Sequence, residues 1–418
     1  MDPEFIYPHV IGCRRASFSA LECKKCDGWH TGKRQVGNNA AVIAEAVRTL
    51  ARRYDPAVAD PPLEARVRLV AGEEAYDALI SVAGARIVEA NGARPDALIS
   101  GSTGAWQRAA DEGGLSPLRR GGLQMRQNLH VAVGFLAGTS TRVGLRLRTY
   151  ETPHGPISAA EAGSGPVLLA IHGLGGTKAS FLPTIGALAD AFRVIAVDLP
   201  GFGDSVKPLR APFDARYFAA VMAEVLDAVG ADRAHVVGNS MGGRVGIELA
   251  LTQPERVDKL VLLSPAMAWL RSRRWAPVVR LLRPELSMIP MPVEPLVRRL
   301  FPADGWAAAG MDEFLRAYST PRGRHAFNAA ARNIYLDEPH GDNGMWSRLR
   351  GLQHDSLFVW GRKDRLVPIG FMKHVERTLP AARHVELDCG HVPQVEAPRE
   401  THAAIREFLA ESAVKPGR

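Results

Sequence analysis

The stretch that most limits how this chain can fold is Val236-Val237-Gly238-Asn239-Ser240-Met241-Gly242-Gly243, followed by Arg244-Val245-Gly246-Ile247-Glu248-Leu249-Ala250. An apolar β-type run passes at once into helical spacing, so the backbone must reverse within a few residues and the serine at the apex is strained. Glycines two residues before and two after it remove the Cβ atoms that would block so tight a turn. The hydroxyl then stands clear of the sheet at the N-terminus of a helix, whose free N–H groups and dipole favour developing negative charge. Gly-x-Ser-x-Gly also occurs as an ordinary small-residue turn, so its weight depends on partners elsewhere in the chain.

The surrounding rhythm supplies the context. Val167–Ile171, Arg193–Leu199, His235–Gly238, Lys259–Leu263, Leu357–Trp360 and His384–Leu387 read as strands. Between them, 177–190, 214–229, 241–253, 369–379 and 396–411 have helical spacing. Near-continuous Val/Ile/Leu runs alternating with helices predict a mostly parallel sheet covered on both faces, an α/β fold. After Ser264-Pro265 the rhythm stops for some 80 residues, and 266–350 has the length and position of a helical cap.

A serine hydroxyl needs a base, the base an orienting carboxylate, and the attacked carbonyl preformed donors for its oxyanion. Each falls at a strand end. His172-Gly173-Leu174-Gly175 follows the first buried strand, so the backbone N–H of Leu174, with that of Met241, can form the oxyanion hole. Asp364 follows the strand ending at Trp360, and His391 follows the last strand. Asp388 is the fallback acid, and His172 reads as a structural holder of the oxyanion loop, with Gly173, Gly238 and Gly242 shaping the site. Asp198 and Asp204 read as loop and sheet-end structure.

Five motifs in register carry a resemblance over residues 150–418. They are His172-Gly173-Leu174-Gly175-Gly176, Asp198-Leu199-Pro200-Gly201-Phe202-Gly203-Asp204-Ser205, Gly238-Asn239-Ser240-Met241-Gly242-Gly243, and the Asp364 and His391 segments. The chain resembles a serine-dependent α/β-hydrolase of the esterase/lipase-like group. The resemblance implies Ser240 as nucleophile, His391 as base and then acid, and Asp364 as its orienter, with no cofactor and no metal. It implies cleavage of esters with an apolar acid part. An alternative is a carbon–carbon hydrolase of ring-cleavage products, in which Gly-Asn-Ser-Met-Gly-Gly is frequent. That group tends to carry Gly-Pro-Gly in the oxyanion loop and Trp after the histidine, where this chain has Leu174-Gly175-Gly176 and Val392.

Residues 39–140 predict a smaller α+β domain: a helix at 41–50, β-like runs at 65–70, 75–82 and 85–89, a strand at 95–100, a helix through 106–111, a strand within 118–128 and an apolar helix at 129–137. From Asp96 to Ala137 the order resembles the second half of a sterol-carrier-protein-type domain, which implies an apolar tunnel for an acyl chain or sterol. A small accessory domain with an ordinary core, or a lipid-binding or transfer protein with an accessory hydrolase, are the other readings. Residues 140–148 read as a joint. Residues 1–38 read as a disordered leader whose Asp2-Pro3-Glu4-Phe5 suits a cloning remnant, and Cys13, Cys23, Cys26 and His30 form an irregular zinc-type set.

The net charge of +8 is concentrated: residues 271–300 hold seven arginines against two glutamates, interleaved with Leu, Val, Trp, Met and Pro. That texture suits weak contact with a lipid surface better than a groove tracking phosphates, so no nucleic-acid partner is expected. Trp269, Trp275, Met288, Met291, Leu296, Phe301, Trp306, Met311 and Phe314 are candidate cap core and pocket lining. No apolar run reaches the ~18 residues of a membrane span, and four cysteines suit a reducing, cytoplasmic setting. The oligomeric state is open, and the expected ligand is a small ester or lipid-like molecule.

Overall fold

The computed structural model describes residues 27–59, 64–113, 122–140, 144–267, 283–287 and 305–411. Two compact units emerge, Met1–Ala41 and Val42–Arg418. Of the first, only the beginning of helix α1 (Asp27–Arg53) is described. That helix starts well before Asn39, where the sequence texture placed it. Gly28, Gly32 and Gly37 depress helix propensity there and hide the signal. Cys13, Cys23 and Cys26 lie outside the described residues, as do Trp269, Trp275, Met288, Met291, Leu296, Phe301 and every arginine of 271–300 except the exposed Arg283.

The second unit contains two sheets. After the short helix α2 (Pro56–Ala59), strands β1 (Glu64–Ala71), β2 (Glu74–Ser81) and β3 (Gly84–Glu89) form an antiparallel meander. Strand β4 (Ala97–Gly101) then returns parallel to β1, helix α3 (Thr103–Glu112) crosses, and β5 (Leu123–Gln127) pairs antiparallel with β4. The order is β3-β2-β1-β4-β5. Alternation along β1 buries Ala65, Val67, Leu69 and Ala71, and the Trp106 indole N–H on α3 donates to the Val70 carbonyl at 2.9 Å.

Helix α4 (Leu129–Gly138) comes next, and its sequence is apolar on every face. A helix of that kind is stable in water only if covered all round. Every residue of it except His130 is buried. Leu129, Phe135 and Leu136 share one continuous core with Val67 and Ile99 of the first sheet and Trp106 of α3, and with Leu168, Val194 and Val237 of the second sheet and Phe181 and Leu182 of the helical segment after β8. The domain expected to be complete before residue 140 therefore shares its core with the second sheet and its helices. Residues 140–148 are also more than a joint, since strand β6 (Arg146–Thr152) begins inside them.

The second sheet has eight strands in the order β13-β12-β11-β10-β8-β9-β7-β6. β6 and β7 (Gly155–Ala162) form a hairpin, β7 pairs antiparallel with β9 (Arg193–Val197), and the remaining pairs are parallel. The parallel members are β8 (Val167–Ile171), β9, β10 (Ala234–Asn239), β11 (Val257–Leu263), β12 (Ser356–Gly361) and β13 (Arg383–Leu387). Helices α5 (Leu182–Leu188), α6 (Ala215–Val229) and α7 (Met241–Thr252) connect them. Between β11 and β12 lie α8 (Gly305–Tyr318), α9 (Pro321–Tyr335) and α10 (Met345–Leu349). Helix α11 (Met372–Thr378) links β12 to β13, and α12 (Pro393–Glu396) and α13 (Pro398–Ala410) follow β13. The predicted closing helix is split at Ala397, because Pro398 disfavours a helical residue before it. No helix among the described residues is long and apolar enough to cross a membrane.

Candidate active site

β8 and β10 are neighbours in the sheet, so the loops leaving their C-terminal ends lie side by side. Ser240, at the end of β10, has φ 52° and ψ −114°, a region that non-glycine residues rarely occupy. The turn is closed by contact. A Cβ on Gly238 would lie 2.4 Å from the Gly242 carbonyl carbon, and one on Gly242 would lie 2.0 Å from the Ile171 oxygen. Only glycine fits at either position. Met241 opens α7, so its N–H has no intrahelical acceptor. Gly173 brings the β8 loop against the same point, a Cβ there falling 3.2 Å from Ser240 Cβ, and Leu174 comes next in that loop.

His172 is fully buried. Its Nδ1 lies 2.7 Å from the Gly173 carbonyl and must donate to it, while its Nε2 accepts from Leu199 N–H at 3.0 Å. Burial holds its pKa below the ordinary value despite the Asp198 charge. A neutral ring with both nitrogens occupied clips the β8 loop to the end of β9 and has no nitrogen left for base chemistry.

His391 and Asp364 come together across two strand-end loops. Asp364 Oδ2 sits 2.8 Å from His391 Nδ1, with the carboxylate buried. The other oxygen accepts from Leu366 N–H at 2.7 Å and Val367 N–H at 2.9 Å, which fixes the carboxylate plane. Asp388 is exposed and pairs instead with Lys363 at 2.9 Å, so the fallback acid is away from the imidazole. Two residues that sequence reasoning did not single out hold this loop. Asn239 donates from Nδ2 to the carbonyls of Leu263 and His391, each at 3.0 Å, and Glu396 accepts from Gly390 N–H at 2.6 Å and Val392 N–H at 2.8 Å.

A third missed residue reaches the serine itself. Tyr335, the last residue of α9, places its hydroxyl 3.1 Å from Ser240 Oγ. Burial pushes its pKa up to about 12, against the pull of the Ser240 hydrogen bond. Nearby, Phe314 of α8 lies on Gly175, where a Cβ would come within 2.6 Å of the ring, and Phe314, Tyr318 and Phe327 form an aromatic cluster.

An ion network lies behind the β8 loop. Lys178 Nζ contacts Asp198 at 2.6 Å and Asp204 at 2.8 Å, and Asp198 also accepts from Lys178 N–H at 2.7 Å. Asp204 is in turn 3.0 Å from His130 Nδ1 on α4 and 3.4 Å from Arg316 on α8. Asp198 and Asp204 are loop and sheet-end residues held by this network of ion pairs.

A strained serine at a strand–helix turn, with an imidazole–carboxylate pair on the loops that follow β12 and β13, is the context a nucleophile elbow requires, and the alpha/beta hydrolase fold family matches residues 166–398. The chain belongs to the α/β-hydrolase fold family. Among curated relatives of this hydrolase, the dihydrolipoyllysine-residue acetyltransferase component of the acetoin cleaving system of Cupriavidus necator is 32% identical over 60% of the chain. The chain spans 65% of that relative's length. A 2-hydroxy-6-oxononadienedioate/2-hydroxy-6-oxononatrienedioate hydrolase of Paraburkholderia phymatum is 30% identical over 60% of the chain and 90% of its own. The pimeloyl-[acyl-carrier protein] methyl ester esterase of Aeromonas salmonicida is 29% identical over 60% of the chain and 99% of its own.

Proposed function

We propose that this hydrolase cleaves carboxylic esters with apolar acyl groups through an acyl-enzyme. Ser240 is the nucleophile, His391 the base and then the acid, Asp364 its orienter, and the N–H groups of Leu174 and Met241 the oxyanion donors. The observation that carries the reading is the 2.8 Å Asp364–His391 pair, on a loop tied through the His391 carbonyl to Asn239, the residue before the strained Ser240. A carboxylate on Nδ1 leaves Nε2 as the basic nitrogen and stabilises the imidazolium formed when it takes the serine proton. Ser240 Oγ is hydrogen-bonded to Tyr335 in the structure, and the serine–base hydrogen bond of an unliganded site commonly tightens only when substrate binds. The methyl ester esterase among the relatives and the Leu174-Gly175-Gly176 sequence of the oxyanion loop support ester over carbon–carbon cleavage.

Carbon–carbon hydrolysis of ring-cleavage products is the second reading, favoured by the relative from Paraburkholderia phymatum. A lipid-binding role for residues 39–140 is a separate part of the proposal. It rests on the sequence resemblance of Asp96 to Ala137 alone, and is tested by mass spectrometry of lipid extracted from the purified chain. Two substrate sets decide between the enzymatic readings: nitrophenyl esters of two to sixteen carbons, and a dienone ring-cleavage product. Ester turnover by the wild type, with Ser240→Ala down on the order of 10⁴-fold or more, is the expected result. Faster turnover of the dienone than of every ester would sink the esterase reading.

A further inference from the structure

Tyr335 is held in place from both sides. Two residues before it, Asn333 donates from Nδ2 to the Pro212 carbonyl, in the loop between β9 and α6. Two residues after it, Asp337 pairs with Arg244, which lies one helical turn beyond Ser240 on α7 and is itself buried. The end of α9 is thus tied to the helix that starts at the nucleophile. The phenol stays neutral throughout the working range of a serine hydrolase, since burial raises its pKa to about 12. A neutral phenol that donates to a lone pair of Oγ leaves the serine's own hydrogen free for His391.

We propose that Tyr335 is a catalytic residue whose hydroxyl donates a hydrogen bond to the leaving-group oxygen of the ester. The inference rests on the esterase reading. In the first half-reaction Oγ bonds to the carbonyl carbon, its proton passes to His391 Nε2, and the C=O electron pair moves onto the oxyanion facing the Leu174 and Met241 N–H groups. When that pair returns, the carbon–oxygen bond to the leaving group breaks and His391 returns the proton to the departing oxygen. Tyr335 keeps its own proton throughout. The departing oxygen is bonded to the same carbon as Oγ, so a donor 3.1 Å from Oγ is within its reach. The hydrogen bond strengthens as charge builds on that oxygen, so it favours the transition state over the bound ester.

The test uses the full chain and Tyr335→Phe, which removes one oxygen, with thermal melting recorded first. Esters with one acyl group and two leaving groups, an alkyl alcohol and nitrophenol, are compared by kcat/KM, which reports acylation. Loss of the donor is expected to lower kcat/KM for the alkyl ester on the order of 10²-fold. The nitrophenyl ester should change little, because nitrophenolate leaves without help. Tyr335→Met provides a second donor-free side chain for the same comparison. Equal losses on both esters, or no loss on either, would overturn the proposal. A wild type inactive on both esters would instead refute the esterase reading itself, and Ser240→Ala run in parallel separates the two failures.

Discussion

Glu313 joins the two halves of the second unit, and replacing it measures how firmly they are joined. Its side chain, on α8, is buried, and Oε1 accepts from Leu129 N–H at 2.7 Å. Leu129 opens α4, so a carboxylate from a distant element satisfies a helix-end donor that α4 itself cannot. The same carboxylate pairs with Arg316 at 2.8 Å. In Glu313→Ala the Leu129 N–H is left unpaired in a buried place, at a cost of about 1–3 kcal/mol. Loss of the helix-end charge adds about 0.3–1 kcal/mol. Arg316 keeps Asp204 and is one-third exposed, so its contribution stays well below the roughly 3–5 kcal/mol of a fully buried broken pair. The sum is about 3 kcal/mol. Glu313→Gln keeps an acceptor for Leu129 and gives up only the charge, which corresponds to about 1 kcal/mol. Urea unfolding followed by tryptophan fluorescence reads both as midpoint shifts at constant slope. Equal, small shifts for the two variants would mean that the Leu129 N–H finds another partner, and that Glu313 does not seal this junction.

Further expectations concern the imidazole and the pH dependence of stability. Asp364→Asn should lower kcat on the order of 10⁴-fold, since an amide on Nδ1 does not hold the required tautomer, whereas Asp388→Asn should leave it near wild type. Comparable losses in the two variants would reverse the assignment of the acid. His402, buried on α13 with Nε2 2.9 Å from Thr184 Oγ1, has its pKa lowered to about 4 by burial. Between the ordinary value near 6.5 and 4 the unfolded chain binds a proton that the folded one does not, so stability from this residue is fully present above that range and lost as pH falls through it. The loss amounts to about 3 kcal/mol. Denaturation midpoints of wild type and His402→Gln should therefore converge as pH falls from 7 to 4, and parallel curves would contradict the buried neutral ring.

The parts of the site visible in the sequence are those that each strand end carries locally. Ser240 is marked by a period change and two glycines, and Asp364 and His391 by their place just after apolar runs. Tyr335 has no such mark. It sits at the end of a helix in the inserted segment, and only the tertiary path of that segment brings it to Oγ. Glu396 and Asn239 escape for a similar reason, because their acceptors and donors are backbone atoms, which no side-chain pattern records. The shared core was legible in principle. Ten residues from Leu129 with a single polar member require cover on all sides, and one small sheet offers cover on one. The carboxylates that seal the junction, Asp312 and Glu313, lie more than 180 residues away in the chain, and nothing local announces them.

That sandwiched helix also sets an order of events during synthesis. α4 leaves the ribosome before any strand of the second sheet exists, and β8, α5 and β9, which supply much of its far-side cover, emerge 30 to 60 residues later. At translation speeds of roughly 5–20 residues per second, the nascent chain carries an uncovered apolar face for seconds. The N-terminal sheet thus begins as a half-finished surface awaiting its partner, and residues 129–138 are where a nascent-chain chaperone would bind and where a stalled or truncated chain would first aggregate.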